Sequence, residues 1–319
     1  MKSKKVRSKK SQYSWIFVLI IVALCLIGTR YWKEAREWEE RKIWNTIANL
    51  AVIDAQKSRS IDNWWIKTSN LSANIETKQL FEKKKNEVLS IIHNYRGVSA
   101  ETEKISERFR EFRLAVFVNG QSRYLLENGI TPPLGTNGVD ICFLSEEDAR
   151  KLLFYSIAWR PDWNTVIIPA VSYPEKLLVS LLFHELGHAF RHNKNDAGGI
   201  VPDIDKEALA REEVEMHELS GEILNNLSNE SYFRRIDQIL ARLPKERRFE
   251  RVIASVTTED SVAFYEIFGC AGTETPAKMV MSNTIRMIGF RHAERHELGI
   301  EGKIKVFREI ERHLALPEK

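Results

Sequence analysis

The stretch SYPEKLLVSLLFHELGH, residues 172–188, decides how the chain reads. Ser172 and Glu175 have the spacing of a capping box, with Pro174 in the first turn of the predicted helix. Residues 177–183 are almost wholly apolar, so this helix is expected to be buried on most sides. It runs into His184-Glu185-Leu186-Gly187-His188. Histidines four apart lie one turn above each other on one helix face, where two imidazoles reach one metal ion. Glu185, beside the first histidine, is placed to take a proton from a water in the ion's open position. A three-ligand zinc site needs this arrangement, because zinc lowers the pKa of a water there to about 7. The alternative is a set of side chains hydrogen-bonded within a core. A carboxylate beside histidine on a buried helix is costly without a cation, which favours the metal.

The 319 residues, 43% hydrophobic and 29% charged, suit a globular protein of one large or two small domains. Much of the net charge of +4 is local, since six of the first ten residues are Lys or Arg. Residues 15–28 follow as an apolar run bordered by Tyr13, Trp15, Tyr31 and Trp32. With its flanks the run approaches the roughly 20 residues that cross a bilayer, and aromatic residues favour both interfaces. No small-x-small cleavage site follows, so an uncleaved anchor is preferred to a signal peptide. The basic tail then stays in the cytosol and the rest lies outside, periplasmic in a Gram-negative bacterium. This makes the tail a membrane flank, with no nucleic-acid partner. The expected organisation is a basic tail (residues 1–12), a transmembrane helix (13–32), a helical stalk or N-terminal helices (33–100) and a zinc-site domain (101–319). Cys142 and Cys270 fall in the outer part, where they either pair or remain separate thiols.

Along the chain, helical patterns cover residues 72–95 and 100–112, and residues 82–85 mark a solvated face. Strand patterns cover residues 114–118, 139–144 and 165–169, with Asn119-Gly120 as a turn. Residues 145–148 open a further helix. Pro169 suggests that residues 165–169 form an edge strand, able to pair with an extended peptide. Asp205 is expected to cap a helix reaching residue 227. Helical patterns then recur near residues 230–243, 246–256, 260–268, 276–292 and 302–314. The fold class is α+β: mostly helical, with a small edge sheet, preceded by one transmembrane helix.

The third ligand should come from the helix after Asp205, which carries Glu212, Glu213, Glu215, Glu218, Glu222 and His217. At about 100° per residue, Leu209, Met216, Ser220, Ile223, Leu224 and Leu227 share a core face. Glu213 falls inside that arc and Glu212 toward its other side, while Glu215, Glu218 and Glu222 point to solvent. His217, one turn after Glu213, sits where it can support the ligand from outside the coordination shell. His184 to His188 followed by a Glu-bearing helix resembles the gluzincin metallopeptidases. Glu213-Val214-Glu215-Met216-His217-Glu218-Leu219 is similar to the E-x-E-A-(N/D)-x-F pattern of small gluzincins of ImmA/IrrE-like and HtpX-like type. His217, Met216 and Leu219 depart from it at the Asn/Asp, Ala and Phe positions. The resemblance covers roughly residues 165–227 and implies a zincin-like fold, Glu213 as the third zinc ligand and hydrolysis of a peptide or protein substrate.

The expected metal ligands are therefore His184, His188 and Glu213, with Glu185 as general base. Gluzincins often hold the transition-state oxyanion with a downstream His, Tyr or Arg, and Tyr265, Arg291 and His292 are the candidates. His292 and His296 are also four apart, but charged neighbours such as Arg291, Glu294 and Arg295 point to a solvated face rather than a second metal site. The rival reading is a catalytically silent scaffold or binding protein of the same fold at the membrane. The intact motif argues against it.

Overall fold

A computed structural model describes residues 75–109, 113–118, 122–125, 140–144, 156–160, 165–169, 172–192, 205–270 and 274–314. The chain divides into Met1–Thr46 and Ile47–Lys319, and every described residue belongs to the second unit. The expected anchor and the start of the stalk lie outside the described residues. Among the described residues, no helix is long and apolar enough to cross a membrane.

Among the described residues helices dominate, beside one sheet. Helix α1 is Ile75–Asn94 and α2 is Ala100–Arg108. Five strands follow: β1 Arg113–Val118, β2 Ser122–Leu125, β3 Asp140–Leu144, β4 Ala158–Arg160 and β5 Thr165–Pro169. The motif helix is α3, Glu175–His192, and the Asp205-capped helix is α4, Lys206–Leu227. Then come α5 Ser231–Arg242, α6 Phe249–Ala254, α7 Thr258–Phe268, α8 Glu274–Arg295 and α9 Gly299–Leu314.

The sheet runs in the order β2-β1-β3-β5-β4. β1, β3 and β5 are parallel, while β2 and β4 close the two edges antiparallel. Thr165–Pro169 is therefore an interior strand, contrary to its predicted edge position. Val166, Ile167 and Ile168 are all buried, as strands covered on both faces are. Pro169 ends the strand opposite Leu144, where its missing N–H interrupts nothing further along the ladder. The edge beside the motif helix is β4, which packs against α3. α1 lies on β1 and β2, and the Tyr95 hydroxyl after it donates to Glu175 at the start of α3 (2.6 Å). Glu175 is thus engaged with Tyr95, and the Pro174 carbonyl accepts the first bond of α3 from Leu178 N–H.

α3 is buried along most of its length and packs most extensively on α4. Gly187 permits that approach, because a Cβ there would lie 2.3 Å from Met216 Sδ. α4 in turn packs on α8 and α9. α8 is buried on nearly every side, with Val280, Met281, Ile285, Ile288 and Phe290 at 0–1% exposure. A second anchor is polar. Buried Asp260, in the first turn of α7, accepts two hydrogen bonds from Arg242 (both 2.6 Å) and closes a capping box with Thr257. Burial alone would raise its carboxyl, but Arg242 and Thr257 hold it at about 2.

Candidate metal centre

Helices α3 and α4 bring the predicted ligands together. His184 and His188, one turn apart on α3, are both buried, and their Nε2 atoms lie 3.3 Å apart. From α4, Glu213 places carboxylate oxygens 3.7 Å from His184 Nε2 and 3.6 Å from His188 Nε2. A tetrahedral ion with bonds of about 2.0–2.2 Å separates its ligand atoms by about 3.3–3.6 Å. Measured to Oε2 for His184 and to Oε1 for His188, these separations match that spacing. His217 adds a second grouping: His184, Glu213 and His217 bring ligand atoms within 4.8 Å of one another and could hold a metal ion. The two triads share His184 and Glu213. His188 Nε2 lies closer to the Glu213 carboxylate than His217 Nε2 does, 3.6 Å against 4.0 Å.

The outer hydrogen bonds fix which nitrogens face the centre. Ser220 Oγ donates to the Ser180 carbonyl (3.1 Å), so it accepts from His184 Nδ1–H (3.3 Å). Glu212 accepts from His188 Nδ1–H at 2.6 Å. Both Nε2 atoms then lie 3.3 Å apart, facing the Glu213 carboxylate. Such an arrangement calls for a cation. Carboxylate–histidine pairs of this kind orient ligands and raise their basicity at zinc sites. Without a metal, a proton serves instead. Burial would lower His188, but Glu212 and Glu213 raise it to about 10. Burial would likewise raise Glu212 and Glu213; hydrogen bonds from the histidines bring Glu212 to about 2 and Glu213 well below the usual carboxylate range. Metal loading therefore displaces a proton.

Glu185 stands beside the centre, its Oε1 3.9 Å from His184 Nε2. Its other oxygen accepts the backbone N–H of Trp159 on edge strand β4 (2.7 Å). Burial pushes this carboxyl up, against the pull of His184, His188 and the Trp159 N–H. The Trp159 indole stacks on the His192 ring (5.0 Å, 16°) and nearly parallel to that of His188 (6.4 Å, 7°). His192 also bonds Glu212 (3.0 Å). His217 packs 4.6 Å from the His184 ring and against Phe290 and Phe307. Its burial, reinforced by His184 and Arg286, holds the imidazole well below its usual pKa and hence neutral.

Several expectations change. Glu212, placed toward the other side of the core arc, grips His188 directly, and Trp159, His192 and Ser220 complete the surroundings of the two histidines. Glu215 pairs with Arg191 at the surface, as its outward direction on the wheel implies. Leu209, assigned to the core face, is 42% exposed. Among the oxyanion candidates, Arg291 pairs with Asp237 and stacks over Phe233. His292 bonds the Glu246 carbonyl (2.8 Å) and is 2% exposed, so it is not on a solvated face. His296 bonds the same carbonyl (2.9 Å). Tyr265 lies one turn before Cys270, whose N–H bonds its carbonyl (2.8 Å). None of the bonds described for these residues reaches the centre. Cys270 is buried, its thiol pushed up to about 11 by burial, and the side chain of Cys142, its possible partner, lies outside the described residues.

No protein-family model, no curated protein and no solved structure matches this chain.

Proposed function

We propose that this protein is a membrane-anchored zinc metallopeptidase of gluzincin type, with its catalytic domain outside the cytosol. The observation that carries the reading is the convergence of His184 Nε2, His188 Nε2 and the Glu213 carboxylate at 3.3–3.7 Å, with Glu185 alongside. Two nitrogens and one carboxylate are a donor set that zinc takes in catalytic sites with one position open. Bound there, zinc would supply Lewis acidity to polarise a carbonyl and acidify a water. Glu185 would accept that water's proton and later pass it to the leaving amine. The burial that raises its carboxyl makes it a stronger base. The Trp159 N–H would hold the carboxylate in place. β4, as the sheet edge against α3, would flank an extended peptide substrate in place of the strand first expected to pair with one.

Glu185→Gln tests the reading. The variant spares all three ligands and should keep stoichiometric zinc. It should lose peptidase activity by about 10²–10⁴-fold, the usual contribution of a general base. Zinc-loaded Glu185→Gln protein with near-native turnover would rule the mechanism out. A wild-type protein that binds zinc but cleaves nothing in a peptide-library assay would favour a binding role.

A further inference from the structure

The centre contains one more imidazole than the set of two histidines and one carboxylate uses. His217 lies one turn beyond Glu213 on α4, with Nε2 4.0 Å from Glu213 Oε2. Its ring leans on that of His184, 4.6 Å away. Ligand atoms of His184, Glu213 and His217 fall within 4.8 Å of one another. The ring is nearly enclosed, its side chain 12% exposed.

We propose that the centre has two overlapping metal positions, sharing His184 and Glu213, in which His217 replaces His188 as the third ligand. This rests on the metal-centre reading above. Contraction of the His217 triad from within 4.8 Å to the spacing of a bound ion takes only about 1 Å of side-chain movement. The two exchanging residues face different surroundings. His188 is held by Glu212 and backed by Trp159, on the side where β4 holds Glu185. His217 is backed by Phe290 of α8 and Phe307 of α9. When the ion moves to His217, His188 keeps its hydrogen bond to Glu212, so no buried donor is stranded. The His188 position is therefore the catalytic one, and the His217 position retains the ion in an idle state.

The test uses the full-length protein in detergent, stripped of metal and titrated with Co²⁺ as the probe. Wild type, His184→Ala, His188→Ala, His217→Ala and the His188→Ala/His217→Ala double variant are compared, with circular dichroism confirming that each is folded. Wild type and His217→Ala should each bind one equivalent. His188→Ala should still bind one equivalent, more weakly than wild type and with a shifted visible band. His184→Ala and the double variant should bind none in the same range. In ¹¹³Cd-loaded, ¹⁵N-histidine-labelled His188→Ala, the His217 ring nitrogen should couple to cadmium. A folded His188→Ala that binds no Co²⁺, or binds it equally well after His217 is also removed, would overturn the second position while leaving the first intact. Wild type that binds no Co²⁺ would instead overturn the metal centre itself. If His188→Ala unfolds, cadmium coupling in the wild type decides: exchange between His188 and His217 supports the proposal, and coupling to His188 without His217 overturns it.

Discussion

Glu212, Glu213 and Glu215 occupy a single turn of α4, yet they should answer substitution in three different ways. Glu212 is the informative one. Its carboxylate, 11% exposed, lies 2.6 Å from His188 Nδ1 and 3.0 Å from His192 Nε2. Removing it leaves the metal ligands in place but frees the ring that presents one of them. Loss of such an outer partner typically weakens metal binding about 10–100-fold, or about 1.4–2.8 kcal/mol. Glu212→Gln keeps an acceptor oxygen and loses only the charge, so it belongs near the lower end of that range. Glu212→Ala also strands the His188 Nδ1–H, and belongs near the upper end. Glu213→Ala should lose most of the zinc, because two histidines and an uncompensated cation remain. Glu215→Ala should match wild type, since Glu215 only pairs with Arg191 at the surface. Competition of the detergent-solubilised protein against a chromophoric chelator measures all four affinities. Wild-type affinity in Glu212→Ala, or equal losses in Glu215→Ala and Glu213→Ala, would refute the assignment of roles on this helix.

Three other outcomes are expected. Gly187→Val should destabilise the domain by about 1–3 kcal/mol through overpacking, because even a Cβ would lie 2.3 Å from Met216 Sδ; an unchanged melting temperature would disprove the close approach of α3 and α4. Asp260, depressed from 3.8 to about 2, contributes stability that is fully present above its unfolded value and is lost as pH falls through the folded one. Melting temperature should therefore drop between pH 4 and pH 2, and comparison with Asp260→Asn should isolate that component; identical profiles would exclude it. A reporter fused after Lys319 should be active only outside the cytosol, and protection of the C-terminal domain from protease in intact spheroplasts, lost on lysis, would reverse the topology.

Local patterns in the sequence carried much of this. The run from Leu177 to His188 specified a buried helix with two histidines on one face, because the periodicity of a helix is a property of the chain alone. Asp205 marked the start of α4 for the same reason, since a cap acts within its own turn. Angular position also brought Glu213 to the face turned toward α3.

Tertiary structure decided what lay across space. A helical wheel gives direction but not how far along a helix its neighbour reaches, which is why Leu209 is exposed. Pro169 looked like an edge residue, but strand order depends on partners distant in sequence, and β4 took the edge. His292 has charged neighbours in sequence but lies buried on α8, because the surrounding helices enclose it. The partners of the two histidines were least legible of all. Trp159 comes from an edge strand, and Glu212 and Ser220 from the facing helix. A hydrogen bond to an imidazole Nδ1 leaves no periodic trace in the chain that supplies it. Sequence spacing could align two histidines on α3; only the packing of α4 and β4 against that helix could choose which of their nitrogens face the Glu213 carboxylate.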